Sequence, residues 1–276
     1  MQLLNIPTSP EQLETWRSFL APERQPFLLT AAEAEGYTSV FRKDAGFNSQ
    51  EQDTYALWNV DRAIDRVVWL TQDEWSELPL PEQRRLLRLQ VRYGRSNVPL
   101  GKHFQDVLPG LSPGRFLWSR EQLTPEVLAR LISKDQKPCQ HDQIPQEVWD
   151  AAESVLPRVH DLAGTFPTNS VGNCFGAVMG AAGVAGAEDE WMQREPFEDF
   201  LRTRTQRGGR DDRPGVVLVW RSERGVEHAA VALGAGWGFH KPSQSWQTAR
   251  VVLPIDNIKR NYRTPGHRLE RYQMVP

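Results

Sequence analysis

Two cysteines, Cys139 and Cys174, are all that this chain carries, so no disulfide framework holds it together and one bridge is the most it can form. Two free thiols fit a reducing compartment better. An excess of one charge is also lacking. A formal net charge of -2 and a pI near 6.3 give no global attraction to nucleic acid or to an anionic membrane. Long hydrophobic runs are missing too: the longest small, apolar stretch, residues 174–187, ends at Glu188 and Asp189 and is too short to span a bilayer. The opening MQLLNIPTSPEQLETW lacks the basic start and continuous apolar core of a secretory signal, which makes a cytoplasmic location the expectation. No internal repeat or low-complexity run interrupts the chain.

What is present describes a folded protein. Hydrophobic residues at 39% and charged residues at 25% are ordinary soluble values, and 276 residues suffice for one large core or two modest ones. Residues 1–140 read as mostly helical. Ser49 caps an expected helix through Asp53, Leu57, Val60, Ile64 and Val67, whose apolar positions recur at helical spacing. A second helix opens at Pro81 and runs to the Gly94 region, and a third follows Thr124-Pro125, since proline suits the first helical position. The polar, proline-bearing segment 133–146 marks the boundary between an accessory or targeting region, 1–140, and a second domain, 141–276.

Beyond that boundary an amphipathic helix is expected over 147–159, a small-residue helix from Cys174, and a charged helix over 195–204. Strand-like runs follow at 216–220, 226–233, 237–240 and 251–253, with Gly234-Ala235-Gly236 as a turn. Helices first and an antiparallel sheet afterwards indicate an α+β fold.

One constellation carries chemistry. Cys174 follows Asn173, a favourable cap residue, so its thiol stands at a helix N-terminus, where the dipole favours a thiolate and the backbone N–H can serve an oxyanion. A lone cysteine in such a place is usually just buried. Two histidines change that. His228 and His240 flank the hairpin at an even spacing, so an even cross-strand register places both rings on one face, and a turn centred on Gly234 places them directly opposite. Ala230 and Ala232 on the strand, with Gly176, Ala177, Gly180 and Ala181 on the helix, leave room for close approach. Trp237 and Trp246 flank His240 and are candidate walls of a substrate cleft, with Asn173 beside the nucleophile.

Cys174 in GNCFGAV, His228 in VEHAAVALG and His240 in GWGFHKP resemble, in order and near-usual spacing, the NlpC/P60 group of papain-like cysteine hydrolases. The resemblance covers residues 160–276. It implies a helix bearing the cysteine packed on an antiparallel sheet, with Cys174 as nucleophile, His228 as general base and acid, and His240 as the residue that orients His228. It further implies hydrolysis of an amide, with a peptidoglycan-type peptide stem as substrate; no cofactor is expected, and the charge balance points to no clear nucleic-acid partner. Asn173-Cys174-Phe175-Gly176 stands where the family commonly has Asp-Cys-Ser-Gly, and Val216 stands where an acidic residue follows Pro-Gly, departures that bear on the substrate. A cytoplasmic enzyme reaches cell wall only by lysis or a dedicated secretion route, so an intracellular deamidase or acyltransferase on the same fold is the rival enzyme. A non-catalytic peptide-binding module is the rival outside enzymes, and the oligomeric state is left open.

Other candidates carry less. Cys139-Gln-His141 offers too few ligands for a zinc site, so no metal is expected there. His103, His160 and His267 have no evident partners. Arg84, Arg88, Arg92 and Arg95 fall on one helical stripe that reads as a solvated face.

Overall fold

The computed structural model describes residues 1–38, 40–42 and 46–275, and it divides into two compact units, Met1–Thr8 with Asp135–Pro276, and Ser9–Lys134. The boundary thus falls between Lys134 and Asp135, inside the polar segment but ahead of the expected 140/141. The first eight residues go with the C-terminal unit. They form a hairpin, β1 (Gln2–Leu3) and β2 (Ile6–Pro7), turned by Leu4 and Asn5 at positive φ. Leu3 and Ile6 are buried, Cys139 N–H donates to the Leu4 carbonyl at 2.8 Å, and Asn5 Nδ2 donates to the Cys139 carbonyl at 3.1 Å.

The Ser9–Lys134 unit contains α1 (Pro10–Leu20), β3 (Arg24–Leu29), β4 (Val40–Arg42), α2 (Ser49–Thr54), β5 (Arg66–Thr71), α3 (Gln72–Glu77), α4 (Leu80–Arg92) and α5 (Pro125–Ser133). It is therefore not mostly helical. An antiparallel sheet in the order β3-β5-β4 supplies Phe27, Leu29, Val68 and Leu70 to a core that also takes Leu86 and Leu87 from α4. The long helix expected from Ser49 stops at Thr54. Ala56 adopts a left-handed conformation, which breaks the helical path, and the β-branched pair Val67-Val68 joins a strand. The other two helices stand where expected, α5 with Thr124 accepting from Val127 N–H. Arg95 does not share the solvated stripe of Arg84, Arg88 and Arg92. It is buried, with its guanidinium 4.7 Å from the Tyr55 ring centre, and burial pulls it down to about 10.

The second unit continues with α6 (Gln146–Glu153), α7 (Val159–Leu162), α8 (Cys174–Ala181), α9 (Arg194–Arg204), β6 (Thr205–Arg207), β7 (Val216–Ser222), β8 (Gly225–Gly234), β9 (Trp237–His240), β10 (Val251–Pro254), α10 (Ile255–Asn261) and β11 (Arg268–Met274). The strands form one sheet in the order β10-β9-β8-β7-β11-β6, every neighbouring pair antiparallel. The α+β expectation holds. Helix α8 packs on β8 and β9, and Phe197, Val217, Val231 and Phe239, all fully buried, belong to this unit's interior. No helix among the described residues is long and apolar enough to cross a membrane.

Candidate functional site

Helix α8 opens at Cys174. Asn173 caps it: its side-chain oxygen accepts from Gly176 N–H at 3.0 Å, while its Nδ2 donates to the Met192 carbonyl at 2.7 Å. The cap leaves the Cys174 and Phe175 amides without intrahelical partners, as in any first helical turn. The helix glycines serve another contact than the strand. A Cβ on Gly176 would lie 2.1 Å from the Ala187 carbonyl oxygen, and one on Gly180 would lie 2.7 Å from Glu188 Oε2, so both let the 187–190 segment close over α8.

Strand β8 carries His228, and β9 carries His240. The turn between them comprises Ala235 and Gly236, both at positive φ, with Gly234 opposite Trp237. Continued unbroken, that register would set His240 against Val231, whose side chain faces away from His228. An extra residue on β8, Leu233, shifts the pairing to Ala232 against Gly238 and Val231 against Phe239. His240 then falls against Ala230, on the face of His228 and diagonal to it. The rings meet at an edge-to-face angle of 88°, with His228 Nε2 3.2 Å from His240 Nδ1. The expected shared face is present, although the rings are diagonal neighbours rather than directly opposed.

Cys174 and His228 line one cleft of about 370 Å³, together with Asn173, Phe175, Trp191, Arg194, Glu227, Gln244, Tyr262 and His267 among others. A second extra residue in β8, Glu227, shifts the pairing with β7 between Arg221 and Trp220. Adjacent residues of a regular strand face opposite ways, yet Glu227 and His228 both reach this cleft. Arg194 clamps the irregularity, donating from Nε to the Val226 carbonyl at 2.8 Å and from Nη2 to Glu227 Oε2 at 3.0 Å. Its hydrogen bond from Ser222, with Arg194 and His267 nearby, holds Glu227 below the usual carboxylate range.

The electrostatics run against the expected thiolate. Burial pushes the Cys174 thiol up to about 11, although backbone N–H groups of Ala229, Phe175 and Cys174 and the charge of Lys241 lean the other way. Burial, then His240, sets His228 well below the ordinary imidazole value, and burial brings His240 down to about 3. Both shifts favour a neutral thiol and a neutral imidazole at rest, on a half-buried Cys174 and a buried His228. The dipole of a short helix is outweighed by the loss of water around the sulfur.

Trp237 and Trp246 are not brought to the cleft lining. Trp237 pairs with Pro254 at the start of β9, and Trp246 is 1% exposed. An aromatic wall comes instead from Trp191, Phe175 and Tyr262. Tyr262, the residue that ends α10, stacks on His228 with ring centres 3.6 Å apart and 10° between planes. His267 reaches the cleft as well, beside Glu227. His160 is placed elsewhere, stacked on Trp149 and 3.1 Å from Glu153.

Cys139 is buried, its sulfur 3.2 Å from both His141 Nδ1 and Val252 N–H, and burial pushes its thiol up. Among the described residues no group of three or more His, Cys, Asp or Glu is arranged to hold a metal ion. A more open depression of about 660 Å³ in the Ser9–Lys134 unit, bordered by Arg24, Glu51, Trp69 and Arg120, has no cysteine or histidine in its described lining.

No protein-family model, no curated protein and no solved structure matches this chain.

Proposed function

We propose that the Asp135–Pro276 part of the chain is a papain-like cysteine hydrolase of the NlpC/P60 type that cleaves an amide bond through an acyl-enzyme on Cys174. The observation that carries this reading is the His228 Nε2 to His240 Nδ1 contact at 3.2 Å, made by two buried rings in the unit whose cleft holds Cys174 at a helix N-terminus. With Nε2 committed to His240, Nδ1 is the His228 atom left to take the thiol proton. Sulfur then bonds to the carbonyl carbon while the first-turn amides of α8 face the developing oxyanion. The carbon–nitrogen bond breaks as Nδ1 returns its proton to the leaving amine. Water, deprotonated by the same nitrogen, cleaves the thioester and restores the thiol. The substrate class that the sequence resemblance supports is a peptide stem of the peptidoglycan type, with a γ-D-glutamyl amide as the bond.

The neutral resting pair favours one alternative, a cleft that binds a peptide without cutting it. Incubation with a γ-D-glutamyl peptide and, separately, a glutamine peptide, read by mass spectrometry, separates the readings. Cleavage by the parent and none by Cys174→Ala is the expected result. Ammonia released without backbone cleavage selects a deamidase, saturable binding with no product selects the binding module, and cleavage that persists in Cys174→Ala overturns the nucleophile.

A further inference from the structure

We infer that Tyr262 is a positioning residue for His228: its ring closes one face of the imidazole, and its hydroxyl, tied to the Pro242 carbonyl, keeps the ring there. This rests on the reading of His228 as the base. Several independent contacts place Tyr262. Gly238 on β9 lets α10 lie close, since a Cβ there would be 2.9 Å from Ile258 Cδ1 and 3.3 Å from Ile255 Cγ1. Tyr262 N–H donates to the Ile258 carbonyl at 3.2 Å, which ends the helix with the ring over β8. The hydroxyl donates to the Pro242 carbonyl at 2.5 Å. Pro242 follows Lys241, a fully buried lysine whose ammonium donates to the Ser243 and Ser245 carbonyls at 2.6 and 2.7 Å, so the acceptor sits in a loop folded around a charge.

The stacked geometry has two chemical effects. A parallel ring at 3.6 Å excludes water from one imidazole face. The same face attracts the imidazolium that forms when the thiol proton is transferred, because an aromatic quadrupole favours a cation over its plane. The two effects oppose one another, and because burial is the first cause of the lowered His228 value, exclusion of water is the larger. His228 is also met by His240 from β9 and Trp220 from β7, and it shares its cleft with Cys174 of α8 and with Glu227, while Tyr262 covers it from the α10 side.

The test uses the full chain with Tyr262→Phe and Tyr262→Leu, following His228 by NMR of ring-labelled histidine and turnover on the γ-D-glutamyl peptide. Tyr262→Phe keeps the stack and stays within about threefold of the parent, whereas Tyr262→Leu loses roughly tenfold to a hundredfold in kcat. In Tyr262→Leu the His228 midpoint rises by about one unit or more, because water regains its face. In the parent and in Tyr262→Phe the His228 ring protons resonate upfield through ring-current shielding. Absence of that upfield shift, or an unchanged midpoint and kcat in Tyr262→Leu, overturns the proposal. The NMR readings need no turnover, so they measure the stack independently even if the hydrolase reading fails.

Discussion

His240 offers Nδ1 to His228 and leaves its own Nε2 buried without a hydrogen-bond partner among the described residues. One proton lies between the rings. For His228 to receive another at Nδ1 it must carry that shared proton on Nε2 and donate it, which places the His240 proton on the unpartnered Nε2. An unsatisfied buried donor costs about 1 to 3 kcal/mol.

This predicts an order among His240 variants. Asn presents its oxygen at the same bond distance from the backbone as Nδ1 and accepts from His228, so His240→Asn retains the most turnover. Gln carries its polar group one bond farther and retains less, and Ala falls by about 10² to 10⁴. Turnover on the γ-D-glutamyl peptide checks the order, and equal rates for Ala and parent remove His240 from the site.

Thiol reactivity follows from burial. With Cys174 raised to about 11, iodoacetamide alkylation is slow at neutral pH and rises through the alkaline range. His228→Ala lets water approach the sulfur, so the midpoint moves down towards the ordinary value of about 8.5. A thiolate–imidazolium pair would respond in the opposite direction. A parental midpoint below about 8, moving up in His228→Ala, contradicts the neutral pair; Cys139, itself buried and raised, is not an ordinary reference thiol.

Stability should fall in acid through the same histidines. Both have folded-state values below the unfolded one, so the unfolded chain binds more protons between about 6.5 and the folded value, near 3 for His240. Their contribution is fully present above about 6.5 and is lost as pH falls towards 3, at up to about 1.4 kcal/mol per pH unit for each ring. Urea unfolding between about pH 7 and 4 measures it. His240→Asn should show the shallower slope, and identical slopes would mean that His240 is not held neutral by the fold.

Deleting residues 1–8 removes the hairpin that Cys139 joins. Burial of Leu3 and Ile6 contributes about 1.5 to 3 kcal/mol each, and about 2 to 4 °C follows per kcal/mol in a domain this size, so melting should drop by roughly 6 to 24 °C. A chain begun at residue 141 loses residues 135–140 as well, including the Gln140 N–H that bonds the Val252 carbonyl at 2.9 Å. Unchanged melting in the deletion would show that the hairpin is not part of the folded unit.

Much of the sheet and the placement of the three residues of the constellation were legible because β7 to β9 are apolar runs set off by Gly215, Gly225, Gly234 and Gly236, because β10 is a short apolar run, and because Asn173 announces the helix of Cys174. Strand β11 was not legible. Arg268, Glu270 and Arg271 give it a surface composition, yet Arg221 pairs with Glu270 at 2.8 Å and Arg271 with Asp211 at 2.6 Å, so its charges are satisfied along the sheet. The helix expected across Leu57, Val60 and Ile64 shows the converse, apolar spacing that suits a helix but serves a loop packed on Tyr93 and Leu28. Tyr262 and His267 carried no local signal, since the turn of α10 delivers them. The even spacing of His228 and His240 gave the right face only because Leu233 is an extra residue, which no spacing argument contains.

The hairpin also sets an order of events during synthesis. Residues 1–8 are made ahead of Ser9–Lys134 but have no strand to join until Cys139 and Val252 have been made, whereas Ser9–Lys134 is complete long before. An inserted unit that folds early replaces a long flexible loop by a body with fixed ends, which reduces the entropy lost when the hairpin finds its place. The unit that carries Cys174 therefore closes after Ser9–Lys134, and its cleft is assembled only once the strands on both sides of that insertion have been made.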